Sequence, residues 1–307
     1  MPDNYPLPSA DPVSLGFAPT PLQHLDRLIR QHIEEGRYPG AQIALATRTA
    51  EVGAVPQLRR RQDRAPEGAG DGRDAVPPVQ PDQGVDQLRR CGRWSRRASC
   101  PSWTASPTTC RSSPSAARAR SPCTRSMTHQ GGFPSGRRDE GDLDRPRADA
   151  RRGLRLLAST GPRARRLQYH PRAAHLTQAM VIEAVTGQDY RDVIRDKVLA
   201  PLGLANDIFV GVPASEQERC ADTYAPEPRD NSAEFKAAGM PSGGGYATAR
   251  GMAAFYQMLL GRGRLGDVRL LSPRLIAYVT RSHTGERGDD AMGGIPMHRG
   301  LGPHVAR

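Results

Sequence analysis

The chain has 307 residues, of which 37% are hydrophobic and 5% aromatic, with a formal net charge of +12 and a pI near 10.1. That length holds one large domain or two medium ones with a buried core. No stretch approaches the roughly 18–20 apolar residues of a membrane span. The opening residues MPDNYPLPSADPVS lack the basic and apolar regions of a secretory signal, so a cytoplasmic protein with reduced thiols is expected.

The charge is local. Residues 51–166 hold 24 arginines, no lysine and 12 acidic residues, the whole of the +12 excess. The flanks are neutral, as in an ordinary globular enzyme. Residues 1–19 are Pro-rich and expected to form a loose leader. From 20 onward a single domain is expected. Thr20 and Pro21 mark a helix start. Leu22, Leu25, Leu28, Ile29 and Ile33 form one apolar face, and Gly36 ends the helix. Ala41 to Ala46 then reads as a short apolar strand.

Residues 51–126 show neither a period of 2 nor one of 3.6 and contain few aliphatic residues, and 136–166 are again Arg-rich with weak periodicity. Such segments bury too little apolar surface to offset their ordering entropy, and are expected to be disordered. The cysteines there, Cys91, Cys100, Cys110 and Cys123, lack the tight C-x2–4-C pairs of a zinc site. The clusters Arg59-Arg60-Arg61, Arg89-Arg90 and Arg163 to Arg166 have no interleaved aromatics. Solvated charge is therefore favoured over nucleic-acid contact. Between the two segments lies MTHQGGFPS, starting at Met127.

Leu167 to Leu204 is the longest stretch in which every local signal agrees. Tyr169 precedes a helix over Ala173 to Val185 with Leu176, Met180, Ile182 and Val185 at helical spacing, stopped by Gly187. Asp189 caps a second helix with Tyr190, Val193, Ile194, Val198 and Leu199 on its apolar face, closed by Pro201 and Gly203. Ile208 to Val210 reads as a strand-like exit, and 213–239 as a polar loop. A Gly-rich turn (Gly243, Gly244, Gly245) leads to a cap at Thr248 and a helix bearing Met252, Phe255, Met258 and Leu259, ended by Gly261. Ser272-Pro273 opens another helix carrying Leu275, Ile276 and Val279. The last residues, MHRGLGPHVAR, read as an incoming strand.

The motifs GRYPGAQIALATR, THQGG, the helix–Gly–helix–PLGL run and GGG…TA…FYQMLL resemble the serine β-lactamase-like hydrolases, a family of class C type β-lactamases, esterases and penicillin-binding relatives. The likeness lies in three pieces, 17–48, 127–135 and 167–303. It implies an α+β fold, an antiparallel sheet flanked by helices with a helical subdomain. It also implies acyl transfer from an ester or amide to serine and then water, with no metal or other cofactor. Tyr169 stands where the family has its catalytic tyrosine, and Gly243, Gly244 and Gly245 fall in the stretch expected to bind substrate. The family's usual Tyr-x-Asn is Tyr169-His170-Pro171 here, which leans towards an esterase-like branch.

The family's nucleophile pair, Ser-x-x-Lys, places an ammonium one helical turn from the serine hydroxyl, where it can help take the proton. The chain's two lysines, Lys197 and Lys236, stand three residues after Ile194 and Ala233, so the motif is missing. An out-of-frame block explains this. Asp74 to Val85, back-translated and read one nucleotide later, permits T-L-F-x-x-Y-S-x-T-K-V, with serine from Gln80 and lysine from Gln83. The coding DNA decides: a stop, or no Ser-x-x-Lys, in the shifted frame overturns the idea. His283-Thr284-Gly285 mimics the family's third motif but precedes Gly300-Leu301-Gly302, the wrong order. A plain loop is the better reading, with the genuine motif expected beyond Arg307. His170, His175 and His298 read as local hydrogen-bonders.

Two functions follow. The first is a serine hydrolase of this family, expected to be inactive in this copy. The alternative is a non-enzymatic basic protein binding nucleic acid or another polyanion through its Arg-rich block, with steep salt dependence as its signature.

Overall fold

The computed structural model describes residues 5–38, 40–47, 51–59, 122–131, 167–221 and 231–305. Most of the two segments expected to be disordered, with both tryptophans, Cys91, Cys100, Cys110 and the clusters at Arg60-Arg61, Arg89-Arg90 and Arg163 to Arg166, lies outside the described residues. The chain divides into two compact units. One comprises Met1–Pro81, Arg195–Gly239 and Gly243–Ser272, the other Asp82–Ile194, Met240–Ser242 and Pro273–Arg307. Among the described residues every paired strand belongs to the first unit.

In the first unit the expected loose leader is held down from Tyr5 onward. The Tyr5 hydroxyl donates to the Arg250 carbonyl at 2.7 Å, the Arg250 guanidinium lies 4.0 Å from the Tyr5 ring centroid, and Leu7 is buried. Proline fixes the backbone but does not prevent anchoring by such side chains. Strand β1 (Ser9–Ala10) pairs in parallel with Glu51 and Val52 of β3 (Glu51–Arg59). Helix α1 (Pro19–Glu34) begins before the expected Thr20, because Pro19 at its first turn has a preset φ and no N–H to satisfy. Its core face is narrower than the sequence suggests: Ile29 and Ile33 are buried while Leu28 is 38% exposed.

Strand β2 (Gly40–Ala46) runs antiparallel to β3, with Gly40 opposite Arg59 and Ala46 opposite Glu51. The aperiodic stretch expected from 51 therefore opens on a strand. Its Pro56 lies beyond the two residues that pair with β1, in the stretch where the pairing with β2 shifts register.

The chain re-enters this unit in a π-helical turn (Arg195–Leu199) and a 3₁₀ turn (Ala200–Leu202), closed by Gly203 at φ 72°. Val198, Leu199, Leu202 and Leu204 are buried. Strand β4 (Ile208–Val210) pairs antiparallel with β5 (Gly245–Ala247). The expected polar loop between them carries structure of its own, a 3₁₀ turn (Ala214–Arg219) and helix α5 (Ala233–Ala238). The Ser232 hydroxyl caps α5 by accepting from Phe235 N–H. Lys236, in the last turn of α5, is buried, and its carbonyl accepts from Val212 N–H at 2.8 Å. Val212, Cys220 and Tyr246 form a core cluster with Phe209 against it.

Helix α6 (Ala249–Leu260) starts at Thr248, whose hydroxyl accepts from Gly251 N–H at 2.9 Å and donates to Asp207 Oδ1 at 2.7 Å. Such a cap contributes about 1 kcal/mol. The buried face of α6 is Ala254, Phe255, Gln257 and Met258. Gln257 donates to the Ala46 carbonyl, and Gln42 accepts from Ala249 N–H, tying α6 to β2. The short hairpin of β6 (Arg264–Leu265) and β7 (Val268–Arg269) follows.

The second unit's described residues form helices and loops. Helix α2 (Pro122–Met127) precedes the tight turn at Thr128–Gln130. Helix α3 (Pro171–Thr186) starts at proline, two residues before the expected Ala173, and ends at Gly187 with φ 67°. It buries Ala174, Ala179, Met180 and Ile182, whereas Val185, expected on its core face, is 42% exposed. Helix α4 (Tyr190–Ile194) is capped by Asp189, which accepts from Arg191 N–H at 2.9 Å. Helix α7 (Pro273–Val279) brings Val279 to Met127 and Leu301, with Leu275 alongside. The end of the chain, expected as a strand, is a turn: Gly300 N–H donates to the Pro303 carbonyl, and Arg299 bridges to His304. Pro303 has no N–H with which to continue a ladder.

Candidate active site

The site forms around Leu167–His170, the extended residues before α3, all within the second unit. Three consecutive amides are used, each by a different acceptor. Gln168 N–H donates to the His129 carbonyl at 3.0 Å. Tyr169 N–H donates to Asp289 Oδ1 at 2.9 Å. His170 N–H donates to His129 Nδ1 at 3.2 Å. The Leu167 carbonyl accepts from Asp290 N–H at 2.9 Å. Two loops thus hold the backbone on either side of the tyrosine.

The first loop is the turn after α2. His129 sits at φ 56°, the left-handed region that a non-glycine residue enters at a cost, and is buried. Because Nδ1 accepts a backbone N–H, its proton belongs on Nε2. Its ring centroid is 4.6 Å from that of Tyr169 and 6.0 Å from that of His175. Gln130 steadies the turn, donating to the Thr128 hydroxyl and accepting from Arg287 at 2.9 Å.

The second loop carries Asp289, fully buried. Its Oδ1 accepts from Tyr169 and Ala291 N–H. Its Oδ2 accepts from the Arg299 guanidinium at 2.7 Å, in an ion pair whose side chains are 4% and 0% exposed. Arg299 lies 4.7 Å from the Tyr169 ring centroid and directs another nitrogen at His304 Nε2, 3.0 Å away. His283-Thr284-Gly285 is a loop, and its part here is to hold the Arg299 backbone. His283 N–H donates to the Arg299 carbonyl, and Arg299 N–H donates to the Thr284 hydroxyl.

The electrostatics follow from burial beside a fixed cation. Burial, then Arg299, pushes His175 down from 6.5 to about 4. Burial, followed by Arg299 and the neighbouring histidines, holds His129 well below the usual imidazole range. Burial and Arg299 also lower His304, against a raising influence from Asp289. At neutral pH these imidazoles are uncharged, and the half-buried Tyr169 phenol sits among neutral rings and one guanidinium. This arrangement can orient a phenol for proton transfer. The described residues contain no group of three or more His, Cys, Asp or Glu able to hold a metal ion, and no helix among them is long and apolar enough to cross a membrane.

Of the residues singled out from sequence, Tyr169 lies at the centre of this cluster. Gly243, Gly244 and Gly245 belong to the other unit. There Gly243 is exposed, Gly244 is buried and Gly245 opens β5. His170 contributes its amide and His175 its ring, while the His298 carbonyl accepts from Val305 N–H. Sequence reasoning missed His129, Asp289 and Arg299. His129 lies in the HQGG turn that carries part of the resemblance, which was its available signal.

A beta-lactamase family model matches residues 127–304, more than half of the chain. A penicillin-binding protein homolog from Caulobacter crescentus shares the fold with a TM-score of 0.67 at 21% identity, covering 90% of this chain and 79% of that one. A family VIII carboxylesterase matches with a TM-score of 0.67 at 20% identity, over 94% of this chain and 82% of its own. EstA from Arthrobacter nitroguajacolicus Rue61a matches with a TM-score of 0.62 at 16% identity, over 92% and 80%. No curated protein matches. At these identities the likeness is one of fold, and the fold is the α+β arrangement of the β-lactamases and penicillin-binding proteins.

Proposed function

Because this chain belongs to the beta-lactamase family, we propose that Tyr169 and its surroundings are the acid–base half of a serine acyl-transfer site whose nucleophile half is missing here. In the intact reaction a serine hydroxyl attacks an ester or amide carbonyl while lysine and tyrosine take its proton; the carbonyl C–O or C–N bond then breaks, the alcohol or amine leaves carrying that proton, and water hydrolyses the acyl-serine to the free acid and serine. The observation that carries the proposal is Tyr169, its amide held by Asp289 and the amides on either side of it, Gln168 and His170, held by His129, in a chain whose two lysines follow no serine at the required spacing. The proposal extends to Gly243, Gly244 and Gly245 as substrate-binding backbone, resting on their sequence run. The described chain then orients a proton carrier but forms no acyl-enzyme. Esters suit it better than β-lactams, since His170-Pro171 replaces the family's x-Asn.

The test is hydrolysis of p-nitrophenyl butyrate and of a chromogenic cephalosporin by the purified chain, with mass spectrometry after exposure to a fluorophosphonate. The expected result is no turnover that differs between the chain and its Tyr169→Phe variant, and no serine adduct. Turnover abolished by Tyr169→Phe, or a stoichiometric adduct, would overturn the proposal.

A further inference from the structure

The Asp289–Arg299 pair is poorly explained as a source of stability. Two charges that are 0% and 4% exposed have been stripped of water, and a buried ion pair often does no better than apolar side chains of the same volume. Among the described residues Arg299 Nε is also buried without a hydrogen-bond partner, a further cost to the folded state. What the pair supplies, and a leucine or methionine could not, is a set of directions. The carboxylate has one oxygen on the Tyr169 amide and the other on Arg299. The flat guanidinium lies over the Tyr169 ring, a geometry that arginine adopts and a point-charge ammonium reproduces only in part. The Arg299 backbone is pinned by His283 and Thr284, so the guanidinium is held from behind as well.

We propose that Asp289 and Arg299 are positioning residues for Tyr169, the carboxylate fixing its backbone and the guanidinium fixing its ring. Neither touches substrate in this arrangement; both act through the tyrosine. The functional weight of this inference rests on the reading of Tyr169 as the acid–base residue, but its geometry is tested independently of hydrolysis.

The experiment uses the full chain labelled with 3-fluorotyrosine and read by fluorine NMR. The chain has eight tyrosines, and Tyr169→Phe identifies the relevant resonance. In Arg299→Met and in Asp289→Asn that resonance is expected to shift, with the others staying within their own scatter. Arg299→Lys should bring the resonance part of the way back to its original position, because a cation returns without the flat guanidinium. A Tyr169 resonance unmoved in folded Arg299→Met and Asp289→Asn overturns the proposal. If the variants do not fold, hydrogen exchange of the unaltered chain decides. The Tyr169 amide is expected to exchange on the order of a hundredfold more slowly than exposed loop amides, and exchange at the loop rate overturns the proposal. The hydrolysis assay tests whether this copy turns over substrate, and its outcome leaves these signals unchanged, so the two readings fail separately.

Discussion

Lowering the pH from 7 to 4 is expected to strip about 3 kcal/mol of stability from the protein through His175 alone. The unfolded side chain takes a proton near 6.5, whereas the folded one resists until about 4, and each unit of difference is worth about 1.4 kcal/mol. Between those values the unfolded state binds more protons, so stability falls as pH falls. The contribution is complete above 6.5 and exhausted below about 4. His129, held down by deeper burial and by the same arginine, adds to the loss in the same direction. Urea unfolding followed by circular dichroism at pH 7, 6, 5 and 4 measures it. Carboxylates also titrate at the lower end, so the comparison that isolates the effect is His175→Gln, in which the slope between pH 6.5 and 4.5 should flatten. Equal slopes in the two proteins would contradict the assignment.

Asp289→Ala is expected to cost about 3–5 kcal/mol at pH 7, the usual penalty for stranding one partner of a buried ion pair. Against a typical total of about 5–15 kcal/mol, that is much of what holds a domain folded. The loss has three parts: the Tyr169 and Ala291 amides each lose their acceptor, and Arg299 keeps a buried charge with no counterion. Asp289→Asn retains the shape and the amide acceptor and should cost less, about 1.5–3 kcal/mol. The double variant Asp289→Ala with Arg299→Met should be more stable than Asp289→Ala alone, since the stranded cation is gone. A cost below about 1 kcal/mol for Asp289→Ala would mean that water reaches the arginine and the pair is not buried in solution.

Helix ends were legible where the signal is local. Thr248 and Asp189 cap the helices they precede, and Gly187 and Gly203 adopt the positive φ that closes theirs. Strand β3 was hidden because Gly53 and Pro56 weaken a strand pattern, while the pairing with β2, which is irregular in register, accommodates both. The tyrosine of the site could be placed from its position ahead of α3. Its grip could not. Asp289 is 120 residues from Tyr169 and stands in GERGDD, a string that reads as a solvated turn. Arg299 is one of many arginines, and nothing local marks it as buried. His129 adopts a backbone conformation usually left to glycine, which the residue type conceals. Local chemistry writes caps and turns into adjacent residues, whereas a buried charge pair is written only in the tertiary fold.

The burial of Lys236 has a practical consequence. The chain has two lysines, and the other, Lys197, is exposed in the π-helical turn. An amine-reactive dye or resin at neutral pH therefore meets one accessible side chain besides the N-terminus. Once the α-amine is blocked, attachment through Lys197 presents every molecule by the same point on the first unit.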